Sequence, residues 1–472
     1  MANIAPPAND KVGEVIPETD LLQFRPVRGR FQRAEVRAAL GTLTNPKDED
    51  DIVRSAADAR MLFGINPYFR ALVRGSELRD QTGRVVLPAM PASKALATLV
   101  VPHSSEMDDL TGQSDPSGQE LFSPQALDGT GIHKYPEILL VYAATTCSAH
   151  CRHCYRLDLI GGNAEGKRPA KPEDVERYIR DHNLAHTDAQ HPTGIKGQKI
   201  TELLLSGGDP LTLSNRRLYK FLTAAGRNGL DIVRIATKEM AFRPMRFDAA
   251  LLETFKIFHR DFPETHINIV FNFTHPDEIL LREADGEYRV DQNGQRAWIP
   301  IVAEAIESLN RLDFVTLDNQ TTIIRELNDS ADAIAILHGE LRRKGVLTKY
   351  TFQCRQIERH RHFSVPVETA WNIHNTSQAS LSDAARSKFV LSTEWGKLEL
   401  VCVMDEPLEA HGAVTPSPRE TGVAPSGCVV FRIYRSPHGT ADQGKLIVAR
   451  RNPSALWISD YEDRLIYDGR LV

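Results

Sequence analysis

The sequence predicts an α/β fold: a partial (β/α)6 barrel of TIM-like type over residues 134–400, with a mainly helical N-terminal region (1–133) and a small C-terminal β appendage (401–472). Two observations predict it. From Lys134 onward, short apolar runs alternate with amphipathic stretches, the pattern of βα units laid on a parallel sheet. The residues with chemistry to offer also fall at the ends of those runs, where a barrel gathers its catalytic groups.

Taken in order, strands are expected at Ile138–Ala144, Ile200–Ser206, Ile232–Thr237, Ile267–Phe273, Val315–Ile324 and Leu347–Cys354. The helices between them are expected at Pro172–Asn183, Ser214–Asn228, Asp248–Asp261, Val302–Asn310 and Ser330–Lys344, several opening on Ser or Asp, the residues that cap a helix N-terminus. Before the barrel, helical periodicity covers Arg33–Leu40 and Asp51–Met61, and the polar stretch Asp108–Gly131 predicts a surface loop. Between Glu283 and Pro300, Asp285-Gly286 and Asn293-Gly294 predict an inserted hairpin. Beyond residue 400, a Pro/Gly-rich loop (405–427) precedes strands expected at Cys428–Tyr434, Lys445–Ala449 and Ala455–Ser459, a candidate surface for homo-oligomerisation.

Composition narrows the class. The 472 residues are 41% apolar and 25% charged, and 57 Lys+Arg against 62 Asp+Glu leave a formal net charge of −5. That balance asks for neither nucleic acid nor an anionic membrane. The acidic, Pro-rich start is unlike a secretory signal, and no apolar run reaches the roughly 20 residues of a membrane span, so a cytoplasmic protein is expected. Six cysteines, three of them clustered, are too sparse for a disulfide scaffold.

Those three cysteines lie in TTCSAHCRHCYR, immediately behind the first strand. Cys147, Cys151 and Cys154 stand at +4 and +3 intervals, so their thiolates can converge on one metal centre. A zinc site wants a fourth protein ligand, which His150 or His153 would have to supply, and an electron-transfer cluster wants a fourth cysteine. The simplest account is a 4Fe-4S cluster with one iron open to another ligand. This CxxxCxxC loop resembles the signature of the radical S-adenosylmethionine superfamily. Ser206-Gly207-Gly208-Asp209, at the end of the next strand, is a candidate to hold the amino end of that cofactor, since paired glycines admit close backbone approach.

Beyond the superfamily signature, HKYPEILLVYAATTCSAHCRHCYR, LLLSGGDPL, VRIATKEMAFRP, FNFTHPDEI, LDNQTTIIRELND and YTFQC occur in the order and at roughly the spacing of the lysine 2,3-aminomutase family, which the chain resembles over about residues 60–400. The resemblance implies a 4Fe-4S cluster, S-adenosylmethionine and pyridoxal 5′-phosphate, an amino acid substrate, and an external electron donor of flavodoxin or ferredoxin type. It implies that a radical abstracts hydrogen from the β-carbon and that the amino group moves from carbon 2 to carbon 3. Lys397 matches the lysine that holds pyridoxal, although the run of glycines before it is reduced to Gly396. Lys134 matches one of two basic residues for the pyridoxal phosphate group, the second position being Ile138. Gln320 falls among the cofactor-binding positions.

For the substrate, Arg156 matches the arginine that grips the α-carboxylate. Lysine-using members keep two aspartates for the distal ammonium, and here those positions hold Arg355 and Ser392. A guanidinium there repels an ammonium and attracts an anion, so the pocket resembles the glutamate 2,3-aminomutase branch. Glu394 stands close enough in sequence to face the substrate instead. Arg359, His360, Arg361 and His362 are expected on a solvated face.

Overall fold

A computed structural model describes residues 22–24, 63–80, 82–103, 105–109, 111–156, 159–160, 168–186, 199–405, 427–438 and 441–471. The helices expected at Arg33–Leu40 and Asp51–Met61 and most of the 405–427 loop lie outside the described residues.

Before the barrel, β1 (Leu22–Phe24) pairs antiparallel with β2 (Phe63–Ile65). Helix α1 (Pro67–Arg74), capped by Asn66, is followed by the β3–β4 pair (Leu78–Arg79, Val85–Leu87) and helices α2 (Lys94–Val100) and α3 (Ser105–Asp108).

The barrel then runs β5 (Gly131–Tyr135), β6 (Ile138–Ala144), α4 (Pro172–Ala185), β7 (Glu202–Gly207), α5 (Asn215–Arg227), β8 (Ile232–Thr237), α6 (Glu239–Phe242), α7 (Ala249–Asp261), β9 (His266–Phe271), α8 (Pro300–Asn310), β10 (Val315–Ile323), α9 (Ala331–Arg343) and β11 (Leu347–Gln353). It continues through α10 (Val367–Ala379) to β12 (Lys388–Thr393), β13 (Gly396–Met404), β14 (Cys428–Arg435), β15 (Leu446–Arg450) and β16 (Leu465–Asp468).

Strands β5 to β16 form one twelve-stranded sheet in sequence order. Strands β6 to β12 are parallel to their neighbours; β5 and β13 to β16 join antiparallel. The partial TIM-like barrel is therefore present, with its parallel run one strand longer than the six units read from the sequence. The expected helices open as their caps require: Ser214, Asp248 and Ser330 accept from the backbone amides of Arg217, Leu251 and Ala333.

Alternation sets the layers. Leu139, Val141 and Ala143 of β6 and Leu203 and Leu205 of β7 are fully buried in the large core that also holds helix residues such as Leu218 and Phe255. A second core, with Phe389, Leu398, Phe431, Trp457 and Tyr461, joins β12–β15 to α10. The residue-400 boundary falls inside β13, so the C-terminal strands extend the barrel sheet.

Two local expectations are corrected. Ala455–Ser459 is no strand: this apolar run reaches the second core from a loop, with Asp460 accepting the amides of Leu456 and Trp457, and leads into the 3-10 segment Ile458–Arg464. Asp108–Gly131 is more than a surface loop, because Ser117 is buried and its hydroxyl donates to the Ser392 carbonyl at 2.6 Å. The 283–300 insertion pairs through isolated bridges, Arg282 with Tyr288 and Val290 with Arg296.

Side chains link the two ends of the parallel run. Lys134 on β5 donates to the carbonyls of Ser117 (2.9 Å) and Thr393 (2.5 Å), the latter at the end of β12, and Arg435 on β14 pairs with Glu137 ahead of β6.

Candidate active site

The cysteine loop leaves the C-terminal end of β6 and is tied down on several sides. The amide of His150 donates to the carbonyl of Gly64, that of Arg152 to Leu99, and the side-chain amide of Asn66 to Ser148 (3.1 Å) and Phe242 (2.8 Å). Ser148 donates to Glu239 at 2.7 Å, and the fully buried guanidinium of Arg152 is paired with the equally buried carboxylate of Glu106. From β7, the amides of Gly208 and Asp209 donate to Ala144 and Thr146, each at 2.7 Å. A Cβ on Gly208 would lie 2.4 Å from the Thr146 carbonyl oxygen, and one on Gly207 (φ +105°) 2.4 Å from that of Ala144. These glycines let β7 lie against the loop backbone, a steric demand met by the absence of side chains.

Asp209 is buried and turned inward, accepting from the Thr237 hydroxyl and from the amides of Lys238 and Leu211. Burial, with Glu239 nearby, raises its carboxyl to about 7. Ser206 accepts from Arg156, and the Gln320 carbonyl from Asn272 at 2.8 Å.

Burial raises all three thiols, that of Cys151 to about 12, and Cys154 and Cys151 push Cys147 up further. Thiols held this way become ligands when a bound cation supplies the missing positive charge. Among the described residues, no three His, Cys, Asp or Glu side chains stand close enough together to hold a metal ion, the three loop cysteines included, and His153 lies against Phe363. Three cysteines on one loop are the donor set that a cluster with an open iron would use and one ligand short of a zinc site, but the structure does not gather their thiols into one centre.

Over the loop sits a group of arginines and rings. Arg156, buried, donates to Ser206 at 2.5 Å, with its guanidinium carbon 5.0 Å from the Tyr142 ring centre and 4.9 Å from that of Tyr155. Arg355 lies 3.7 Å from the Tyr155 ring centre. Among the described residues neither arginine has a carboxylate partner, and Arg156 Nε and Arg355 Nη1 are buried without a hydrogen-bond acceptor. Unpaired buried guanidinium donors are costly unless an anion completes them.

Lys397, the second residue of β13, stands in register with Ser392 of β12 and Arg435 of β14. Gly396 before it has φ +111°, and a Cβ there would meet the Arg435 carbonyl at 2.0 Å, which accounts for the one glycine kept at this turn. The Lys397 amine lies 4.1 Å from the Tyr350 ring centre. Burial, with Arg435, Arg234 and Lys349 nearby, holds it well below the ordinary lysine range. Burial among cations disfavours the charged form of this amine, as a nucleophile requires, and the cations suit an anionic group beside it, so the residues fit a pyridoxal phosphate held through Lys397. Burial and the charge of Arg355 lower Lys134 to about 8.

The remaining expectations divide. Glu394 is exposed at the β12–β13 turn, with Gly118 against its side chain. His360 is 1% exposed, which corrects the solvated face expected there; Arg359 turns inward to the Glu106 carbonyl. Sequence reasoning missed Tyr155, Tyr142, Arg234 and Arg435. Tyr155 could have been noticed as an aromatic between a cluster cysteine and the substrate arginine; Arg435 left no local signal.

A three-cysteine loop behind the first parallel strand of a partial barrel is the arrangement that the resemblance to the radical S-adenosylmethionine superfamily implies. By sequence the chain is similar to lysine 2,3-aminomutases. It is 28% identical over 409 residues to a "Putative L-lysine 2,3-aminomutase" of Aquifex aeolicus, covering 86% of this chain and 88% of that one. It is 25% identical over 373 residues to the L-lysine 2,3-aminomutase of Clostridium subterminale, covering 78% and 75%. This relationship implies a 4Fe-4S cluster, S-adenosylmethionine and pyridoxal phosphate as cofactors. No protein-family model matches the chain. Among solved structures, a radical SAM methyltransferase from Sphaerobacter thermophilus superposes with a TM-score of 0.31 at 11% identity, over 55% of this chain and 68% of that one.

Proposed function

We propose that this protein is a 2,3-aminomutase whose substrate is an α-amino acid with a second anionic group, glutamate first. The observation that carries the substrate choice is the pair of arginines, Arg156 and Arg355, with buried donors and no carboxylate partner among the described residues. A planar guanidinium matches a carboxylate with two parallel hydrogen bonds. Arg156 takes the α-carboxylate and Arg355 the distal one, while Ser392 leaves that end without a negative charge.

Cys147, Cys151 and Cys154 hold the cluster. Ser206, Gly207, Gly208, Asp209 and Gln320 border the S-adenosylmethionine site, in which the inward-turned Asp209 braces the backbone from behind. Lys397 would hold pyridoxal, and Lys134 would serve its phosphate. When bound, these groups supply hydrogen abstraction and a conjugated ring that delocalises an unpaired electron. The protein's share is to bury Lys397 where its charged form is disfavoured, fix both ends of the substrate and exclude water.

The relatives' names favour lysine as a second reading. Arg355 argues against it: burying like charges face to face costs about 2–5 kcal/mol, and about 1.4 kcal/mol is already tenfold in binding. The test is anaerobic incubation with reductant, S-adenosylmethionine and each amino acid, scored by chromatography of β-amino products. β-Glutamate should form, and lysine should be poorer by roughly a hundredfold on that scale. Arg355→Asp should cut glutamate use by a similar factor. Efficient β-lysine formation would overturn the substrate and leave the aminomutase reading intact; turnover without pyridoxal would favour a different radical S-adenosylmethionine reaction.

A further inference from the structure

We propose that Tyr155 is a positioning residue whose ring holds the Arg355 guanidinium beside that of Arg156, so that two unpaired cations receive the two carboxylates of one substrate. The proposal rests on the dicarboxylate reading above and adds the residue that sets the spacing. Two guanidiniums without anions repel each other, and nothing acidic among the described residues holds Arg355 in place.

What does lie against Arg355 is the Tyr155 ring, at 3.7 Å from its guanidinium carbon, a stacking distance. The same ring lies 4.9 Å from the guanidinium carbon of Arg156, which is fixed in turn by Ser206 and the Tyr142 ring. Arg156 is therefore anchored from the barrel wall, whereas Arg355, on the loop after β11, depends on a ring carried by the cysteine loop. Tyr155 is itself 39% exposed, an unusual place for a large ring with no packing task. Its task here is to link the cluster loop to the distal end of the substrate.

The test separates ring from hydroxyl and position from turnover. Tyr155→Phe keeps the stack and Tyr155→Thr removes it. Arg355 is first probed directly in the anaerobically reconstituted protein by phenylglyoxal modification, followed by peptide mass spectrometry. The wild type and Tyr155→Phe should react slowly at Arg355, and Tyr155→Thr at least several-fold faster, with iron content and S-adenosylmethionine cleavage without substrate unchanged. Glutarate, a dicarboxylate that cannot react, should bind Tyr155→Thr about tenfold more weakly by calorimetry, and KM for glutamate should rise more than kcat falls. Equal modification rates in all three proteins, or a Tyr155→Thr effect explained by lost iron, would overturn the proposal. Faster modification in Tyr155→Thr when the wild type binds no glutarate would leave Tyr155 holding Arg355 and remove the dicarboxylate substrate.

Discussion

Arg152 and Arg156 sit one helical turn's worth of sequence apart in the cysteine loop and are treated in opposite ways. Arg152 is fully buried and closed by the Glu106 carboxylate, its own amide donates to the Leu99 carbonyl, and that of His150 donates to Gly64. Arg156 is nearly as buried, yet it has a serine, two aromatic faces and an unfilled donor. Where the protein completes a buried charge itself, that charge holds the fold; where it stops short, the missing partner comes from outside. On the proposed function, the base of the loop is scaffold and its mouth a receptor.

The largest expected effect concerns the line between them, where the cysteines stand. Replacing any one of Cys147, Cys151 or Cys154 with Ala should abolish full iron loading and cleavage of S-adenosylmethionine, since on the proposed function each supplies one of three protein ligands. Cys402→Ala and Cys428→Ala should load iron normally. Iron analysis and electron paramagnetic resonance of reconstituted proteins decide it, and a redox-active cluster with normal cleavage in any loop variant would remove the scaffold–receptor division at its centre.

Next comes the other receptor group. Borohydride reduction of the holo-protein should fix pyridoxal on Lys397, and Lys397→Ala should lose that adduct while still cleaving S-adenosylmethionine. Labelling at another lysine would show that the low-lying amine has a structural role only.

The scaffold was largely legible in the sequence and the receptor only in part, for a physical reason. Strands β6 and β8 coincide with the expected runs because a strand buried on its helix-facing side writes its identity into neighbouring residues. The cysteine spacing is equally local. By contrast, Lys134 and Thr393 are 259 positions apart, and the Arg355–Tyr155 stack joins two different loops, so no periodicity announces either. The β12–β13 hairpin was read only as a pyridoxal segment, because Ser392 to Lys397 carries a chemical motif on a turn whose register follows from the sheet around it. His360 shows the converse failure: four consecutive basic or imidazole residues suggest solvent, but the chain folds this one under the Phe363 ring.

The two arginines themselves sharpen the comparison. Glu106→Gln leaves Arg152 buried without its counter-charge, and breaking a buried pair this way costs about 3–5 kcal/mol. Arg156→Gln removes a charge that has no such partner, so its effect on stability should stay below about 1 kcal/mol, while glutamate binding collapses. Denaturant unfolding of the two variants reads the first difference and calorimetry with glutarate the second. Equal destabilisation would mean that Arg156 is scaffold after all.

The smallest effect concerns Lys134, which belongs to both categories: it ties β5 to β12 through two carbonyls and is the candidate phosphate ligand. Its amine is lowered from about 10.5 to about 8, chiefly by burial and then by Arg355, with Asp115 and Glu394 opposing. Between those two values the unfolded chain holds a proton that the folded chain has released, so raising the pH favours the folded state. The penalty is full below pH 8 and gone above about 10.5, and it amounts to no more than about 3 kcal/mol. The difference in unfolding free energy between wild type and Lys134→Met, in which other titrations cancel, should therefore move in the wild type's favour across that window. A flat difference would mean that the two carbonyls compensate the charge fully and that Lys134 is scaffold; a difference that flattens only when phosphate or pyridoxal phosphate is added would mark the same lysine as part of the receptor.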